Sequence, residues 1–433
     1  MKSKNILCLN HSGELGGASL SLSDLLDILI AKGCNVWVLT PSGPVADRFS
    51  TQGAKTVSWK PPAIYWLGRS TYSSGKLRVS AGYLLDIVRT PWRIANAIKD
   101  IITLIRTQQI DTIYVNTMVL FPLGYLLAMI KRKYHTKVVW HVRELLNPRL
   151  PHLVYRWIVN SISIGADIVL SISEATALPF AAACTPVLDG NRIGREWIAF
   201  CNEHRPVPQP KTQHIVMVTS FLSGKGIPDF LRLAREIHKI NPEVKFTLYT
   251  SRPALSSRLE RWLAAMLISQ SENARMIADL WNCHSNLVID GYFNVIFDHR
   301  LVPEDLAGAT MLVNPDSSGV TWGRVVIEAM CAAVPVISYG TNEEYIKDGV
   351  TGYLVKTGDF DGLLMRVQEL LTNPSKAREM GKQGQVRIAQ IYQAVETSAL
   401  MQAFGLVPYE TAIMPHSVTA KTANKEQDDG HVT

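Results

Sequence analysis

The sequence predicts an α/β protein built from two doubly wound domains, each a mostly parallel sheet covered by helices. Three features carry that expectation. Short apolar runs alternate with longer stretches of helical periodicity, the pattern that makes β-α-β crossovers. The run Pro206-Val207-Pro208-Gln209-Pro210-Lys211 interrupts the alternation with a segment that cannot continue a helix or a central strand. The alternation then starts afresh, so that 433 residues, 47% of them hydrophobic, fill two cores.

In order along the chain, residues 6–10 read as the opening strand, and Gly16-Gly17-Ala18 precedes an apolar-periodic helix over 20–32. Residues 34–40 form the second strand. Strands follow at 111–116, 137–141 and 166–173, with a helix-like stretch at 121–131. Beyond the prolines, strands are expected at 215–220, 246–250, 287–289 and 310–314. The boundaries that follow are a first domain over 1–205, a linker over 206–213 and a second domain over 214–385. A helix within 386–409 is expected to pack back on the first domain, before a disordered polar tail over 410–433.

Composition narrows the function. A net charge of +7 over this length suits acidic ligands or an anionic membrane surface and is too dilute for a nucleic-acid binder. The six cysteines, at 8, 34, 184, 201, 283 and 331, have no C-x-x-C spacing and read as buried thiols of a reducing compartment. The first apolar run is too short for a secretory signal, and the longest, residues 118–130, falls short of the roughly 20 residues of a spanning helix. A cytoplasmic protein is the expectation.

The most informative stretch runs from Asn314 through Pro315, Gly319, Val320, Thr321, Trp322, Gly323, Arg324 and Glu328 to Pro335. It reads as strand, Gly-containing turn, helix and strand. Such a turn leaves N–H groups at a helix N-terminus, where the helix dipole favours anions, and Glu328 on that helix can accept hydrogen bonds from hydroxyls. A nucleotide-sugar suits such a site; a β-α-β crossover with a solvated Glu accounts for the pattern equally well. The stretch resembles the C-terminal signature of the family-4 retaining glycosyltransferases. That resemblance implies the GT-B architecture, two Rossmann-like domains facing a cleft, and transfer from a nucleotide-diphosphate sugar with no metal and no further cofactor. Glu328 matches the second glutamate of the family's pair, which contacts the donor ribose. Val320 stands where the first, beside the donor sugar, belongs, while Thr321, Trp322, Gly323 and Arg324 keep the register.

Other motifs fit the same resemblance. Gly16 and Gly17 permit close backbone approach after the first strand, where the family's loop faces donor phosphates and acceptor; the NAD fingerprint G-x-G-x-x-G is absent. His141 ends a strand, at the crevice where doubly wound folds bind ligands, and matches a family histidine near the donor sugar; a strand-capping role is the alternative, and Arg143 and Glu144 can pair with each other. Lys225-Gly226 matches the family's phosphate-binding loop, with Ser220 where Arg is frequent; a lone ammonium binds phosphate as a point charge. Gly291 falls where the family has a loop beside the nucleobase. Asp359-Phe360-Asp361 precedes a helix, where Asp359 suits the N-cap better than a metal site.

The resemblance thus assigns His141, Lys225 and Glu328 to catalysis. It assigns Gly16, Gly17, Ser220, Gly291, Val320, Thr321, Trp322, Gly323 and Arg324 to donor binding. Its acceptor is a glycan or a lipid-linked glycan of surface or exopolysaccharide assembly. Residues 83–106 carry apolar positions at helical spacing among Arg89, Arg93, Lys99 and Arg106, which suits peripheral contact with an anionic membrane or burial against the core, with Pro91 splitting the helix. Two further readings stay open: an inactive nucleotide-binding relative, motivated by Val320 and Ser220, and a nucleotide-sugar 2-epimerase.

Overall fold

A computed structural model describes residues 3–64, 81–146, 150–184, 187–188, 193–203, 212–220, 224–250, 287–297, 299, 301–321, 323–393 and 399–406. The chain divides into two compact units, Met1–Arg192 with Ala394–Thr433, and Ile193–Gln393. The passage between them falls ahead of the proline run.

The first unit contains β1 (Asn5–Leu9), α1 (Gly17–Ala31), β2 (Asn35–Thr40), α2 (Pro44–Thr51), β3 (Lys55–Ser58), α3 (Ala81–Gln108), β4 (Thr112–Val115), α4 (Gly124–Tyr134), β5 (Lys137–Val142), α5 (His152–Gly165), β6 (Ile168–Ser171), α6 (Glu174–Ala177) and β7 (Val187–Leu188). Its sheet runs β3-β2-β1-β4-β5-β6-β7 with every pair parallel. Alternate residues of one strand enter two cores: Leu7, Leu9, Ile113, Val115 and Trp140 on one face, Ile6, Cys8, Tyr114 and Val139 on the other. Burial on both faces explains why these strands read as continuous apolar runs. Leu22, Leu25, Leu26 and Leu29, at helical spacing, press α1 onto the second face.

Pro91 does not split α3, which runs unbroken through it. Ala97, Ile101 and Ile105 are buried in the core and Ile98 and Ile102 pack against it, so tertiary contact holds the helix beyond a residue that removes one backbone bond. The later part of the stripe, Ile98, Ile102 and Ile105, is therefore core; among the side chains of α3 that are described, Trp92 is a large apolar one that lies exposed.

The second unit contains α7 (Arg195–Asn202), β8 (His214–Thr219), α8 (Ile227–Ile240), β9 (Lys245–Thr250), β10 (Leu287–Ile289), β11 (Phe293–Phe297), α9 (Pro303–Ala307), β12 (Met311–Asn314), α10 (Arg324–Cys331), β13 (Val336–Tyr339), β14 (Gly352–Val355), α11 (Phe360–Thr372) and α12 (Pro374–Gln393). The sheet order is β10-β11-β9-β8-β12-β13-β14, parallel except for the antiparallel pair β10 and β11. Residues 193–203, expected in the first domain, belong here because α7 packs on α9, α10 and α12. Trp197 and Cys201 are buried there, and Gln385 of α12 donates to the Cys331 carbonyl at 2.9 Å while its own carbonyl accepts from the Cys201 thiol at 3.6 Å. The chain then returns to the first unit as α13 (Ala399–Ala403), later than the expected start at 386. The tail over 410–433 and the whole of the proline run lie outside the described residues.

Asp359 caps α11, its carboxylate accepting the Gly362 N–H at 2.9 Å. At the junction of α11 and α12, Glu369 accepts from Lys376 Nζ at 2.6 Å, Tyr353 Oη at 2.6 Å and Arg366 Nη1 at 2.9 Å. The Lys376 and Tyr353 hydrogen bonds, with Arg366 adding to them, hold the carboxyl at about 2, below its ordinary 4.5. A depressed carboxyl stabilises the fold above its unfolded pKa and ceases to do so as pH falls through the folded one. The melting-temperature difference between the wild type and Glu369→Gln is therefore expected to be full above about pH 5 and to vanish near about pH 2. A constant difference across that window would contradict the assignment. The five described cysteines are free thiols, and burial pushes that of Cys8 well up.

Candidate functional site

Both units gather polar groups at the carboxyl ends of their parallel strands, where chain crossing leaves a crevice. In the second unit the loop after β8 meets the loop after β12. Gly226 takes φ +80° at the start of α8, and a Cβ there would lie 2.1 Å from the Pro315 carbonyl oxygen. Glycine is what lets the two loops touch. Ser317 then donates from its N–H and its hydroxyl to the Gly224 carbonyl, both at 2.8 Å.

That contact sets Lys225 against a carboxylate that no sequence motif singles out. Lys225 Nζ lies 2.5 Å from Asp316 Oδ2, and Asp316 is buried, its other oxygen accepting from the Ser318 N–H at 2.9 Å and hydroxyl at 2.7 Å. The cation expected to meet phosphate thus already holds an anion. Ser220 follows β8, half-buried at the mouth of the same loop.

The signature follows as expected: β12, a turn, α10, β13. Gly340, at φ +129°, is closed on by the Gly319 carbonyl oxygen, 2.5 Å from where a Cβ would sit, and so seats the turn on the loop after β13. Asn314 at the end of β12 donates to the Val320 carbonyl at 3.2 Å and to Ser338 Oγ at 2.9 Å. Thr321, fully buried, spends its hydroxyl on the Asn342 carbonyl at 2.8 Å, which makes it a structural residue of the turn. Val320 is half-buried. Trp322 lies outside the described residues.

Gly323 is the N-cap of α10, and a Cβ added to it would meet nothing within 4 Å, so the helix start is open to close approach. The first N–H groups of a helix have no acceptor within it. Arg324 and Glu328 face each other one turn apart, Nε to Oε1 at 2.5 Å, with side chains 11% and 6% exposed. The carboxylate expected to meet ribose is buried and already oriented by a guanidinium.

Gly291 is not brought to this site. It lies in the turn joining β10 to β11, at φ +71° beside Asp290 at φ +48°, with Lys245 Nζ 3.3 Å from its carbonyl oxygen. Because β10 runs antiparallel, this turn falls at the amino ends of β9 and β11, opposite the loops that carry Lys225 and Gly323.

In the first unit Gly16 is the N-cap of α1 and Gly17 its first residue; both are exposed, with no neighbour in the way of a ligand. His141 lies near the end of β5, fully buried, its Nδ1 2.8 Å from Tyr114 Oη and 3.3 Å from Arg143 Nη2. Arg143 does not pair with Glu144. The carboxylate instead accepts from the Thr117 hydroxyl and from the Met118 N–H at 2.9 Å, bracing the turn that leads into α4. Arg143 Nε donates to Asn116 Oδ1 at 3.1 Å, and Asn116 Nδ2 donates to the Ala18 carbonyl at 3.0 Å and to Asn10 Oδ1 at 3.3 Å. Asn116 thereby ties the Arg143 that contacts His141 to the first turn of α1, beside the Gly16-Gly17 loop.

Asn10, Asn116 and Asn314 were readable in the sequence: each is the first polar residue after an apolar run at the carboxyl end of a parallel strand. Among the described residues no group of three or more His, Cys, Asp or Glu could hold a metal ion, and no helix is long and apolar enough to cross a membrane.

Residues 15–182 match the family model described as Glycosyltransferase Family 4, and residues 295–387 the one described as Glycosyl transferases group 1. Among solved structures, HepE of Anabaena in complex with UDP-glucose is 17% identical, covering 92% of this chain and 99% of its own, with a TM-score of 0.63. Sucrose-phosphate synthase of Thermosynechococcus elongatus is 17% identical over 93% of this chain and 98% of its own, at 0.62. A glycosyltransferase of Rickettsia africae is 12% identical over 94% and 100%, at 0.61. No curated protein sequence matches the chain. Fold and family matches together define a glycosyltransferase of the GT-B class. Within that class, the chain belongs to the family-4 glycosyltransferases.

Proposed function

We propose that the protein transfers a sugar, with retention of anomeric configuration, from a nucleoside-diphosphate sugar to a glycan or lipid-linked acceptor in surface polysaccharide assembly. The observation that carries this reading is the Arg324–Glu328 pair at the open start of α10. It presents a fixed carboxylate for ribose hydroxyls beside backbone N–H groups suited to a diphosphate. HepE, of like fold, is described in complexes with UDP and UDP-glucose, which supports the same donor class. Lys225 and the α10 N-terminus would stabilise charge on the leaving diphosphate as the bond to the anomeric carbon breaks. The acceptor oxygen then bonds to that carbon, and its proton passes to a phosphate oxygen.

The Lys225–Asp316 pair has a cost in this scheme, since a diphosphate must share the ammonium with a buried carboxylate. Asp316→Asn is expected to tighten UDP binding about five-fold, roughly 1 kcal/mol, by calorimetric titration. Weaker or unchanged binding would remove Lys225 from the phosphate site. The same pair, with Val320 in place of a glutamate, favours a second reading in which the protein binds nucleotide without turnover.

We place the protein in the cytoplasm, with α3 touching an anionic membrane. A surface cavity of about 450 Å³ lined by Lys60, Arg89, Trp92 and Arg93 joins three cations to the exposed indole, a combination suited to lipid headgroups. The deciding experiment is incubation with a panel of nucleoside-diphosphate sugars and lipid-linked acceptors, the product anomer read by NMR. An α-donor giving an α-product supports retention. Nucleotide binding with no product from any pair supports the inactive reading, and turnover of donor without acceptor to its epimer supports a 2-epimerase.

A further inference from the structure

The outer side of the first unit carries apolar side chains that its core does not use. α3, α4 and α5 cover one face of the sheet, where Ile101, Leu127 and Ile162 enter the same core. α4 and α5 meet backbone to backbone: a Cβ on Gly124 would collide with the Ser161 carbonyl, and one on Gly165 would lie 2.7 Å from the Gly124 carbonyl oxygen. Such close contact joins their outward sides into one surface. Tyr125 and Met129 on α4, and Leu153, Trp157 and Ile164 on α5, stand on that side at helical spacing and are all exposed. Leu153 is 80% and Met129 68% exposed, so neither contributes much to its own fold. Arg132 and Lys133 continue the row on α4, and Arg156 borders the one on α5. Neither helix contains an aspartate or a glutamate. Lys131 is spent on Asp167 at 2.9 Å, but no carboxylate among the described residues pairs with Arg132, Lys133 or Arg156.

We propose that the outward face of α4 and α5 is a docking surface for an anionic lipid bilayer, its apolar side chains entering the interface while Arg132, Lys133 and Arg156 meet lipid phosphates. This rests on the reading of the protein as one that touches a membrane, and it moves the contact from the start of α3 to α4 and α5. The residue types suit the two depths of a bilayer interface: Trp and Tyr settle among the headgroups, and Leu, Met and Ile enter the acyl boundary beneath. The row on α5 from Leu153 to Ile164 is about 16 Å long, and a fluid interface fits two such rows without needing a shape of its own. Charge excludes the simplest other occupant, because a second copy docked about a two-fold axis would set these cations against themselves. α3 borders the surface, with the Arg106 guanidinium 5.6 Å from the centre of the Tyr134 ring at the end of α4, so that the cations beside Trp92 extend the same helical layer.

The test is co-sedimentation of the full-length protein with vesicles, in the absence of donor and acceptor, so that its outcome is independent of turnover. The wild type is expected to bind vesicles of phosphatidylcholine with phosphatidylglycerol, to ignore phosphatidylcholine alone, and to bind less as salt rises. Replacing the cations together, as Arg132→Gln, Lys133→Gln and Arg156→Gln, is expected to weaken binding at low salt on the order of 100-fold. Met129→Ser with Leu153→Ser is expected to weaken it about 10-fold at every salt concentration. All five side chains are exposed, so both variants should melt as the wild type does. Arg89→Gln with Trp92→Ser is the comparison on α3, expected to lose less than either. No binding by the wild type, or equal binding to neutral vesicles, overturns both this proposal and the membrane reading on which it rests. Loss in the α3 variant with none in the other two overturns this proposal alone. A wild-type dimer in light scattering that Met129→Ser with Leu153→Ser renders monomeric also overturns it, since the occupant is then a second copy.

Discussion

Glu328→Ala is expected to abolish thermal stabilisation by the nucleoside diphosphate that stabilises the wild type, and to cut glycosyl transfer by about 100-fold or more. Ligand at about 100 times its Kd should add roughly 2.7 kcal/mol to the wild type and nothing measurable to the variant. The substitution also removes the carboxylate facing Arg324 where both side chains are nearly buried, so the unliganded variant is expected to lose about 3 kcal/mol. Those two losses have different remedies. Replacing the pair together, as Arg324→Met with Glu328→Leu, should restore most of the stability, because a buried ion pair contributes little net beyond an apolar pair of similar size. It should restore none of the nucleotide binding. If the double variant binds as the wild type does, α10 is not the donor site.

Gly226→Ala is the second large effect, expected to cost about 3 kcal/mol in denaturant melts. Two penalties coincide there: a left-handed backbone at φ +80° and a methyl carbon forced to 2.1 Å from the Pro315 carbonyl. Gly349 separates them, having φ +72° with nothing within 4 Å of an added Cβ. Gly349→Ala is expected to cost about 1 kcal/mol. Equal losses at the two positions would mean that loop contact contributes nothing. The surplus at Gly226 measures how firmly the Lys225 loop is held on the Pro315 loop, and it should appear again as weakened pairing of Lys225 with Asp316.

The fold was readable wherever a strand is buried on both faces, because such strands are unbroken apolar runs: β1, β2, β4, β5, β6, β8, β9 and β12 fall where the sequence puts them. Three strands escaped, although the edge strand β10 falls at its expected 287–289. β3 mixes Lys55, Thr56 and Ser58 around one Val, β7 has two residues, and β11 hides behind a turn that resembles a binding loop. Gly291 was misread for that reason: local sequence marks a turn but not the direction of the strand entering it, and antiparallel β10 puts the turn at the far end of the sheet. Pro91 misled because propensity is local while the buried side of α3 is not.

At the site, the signature gave α10 and Glu328 directly. It could not give pairing. That Lys225 meets Asp316, 91 positions away, depends on two loops brought together by strands β8 and β12 lying side by side. That Arg143 turns from its neighbour Glu144 toward Tyr114 and Asn116 depends on the alternation of side chains at a strand end.

The brief return of the chain to the first unit bears on the order in which the protein is made. α13 lies beside Phe404, which enters the core of that unit against the Tyr114 ring at 5.7 Å between centroids, and Lys4 Nζ donates to the Phe404 carbonyl at 2.7 Å. Residues 193–393 are contiguous and leave the ribosome before Phe404 does. The second unit can therefore close its core during translation, while the first, although its strands emerge earlier, waits for nearly the last described residues to cover the face from which Tyr114 reaches His141. Assembly of the histidine network, on this topology, follows the emergence of residues 193–393.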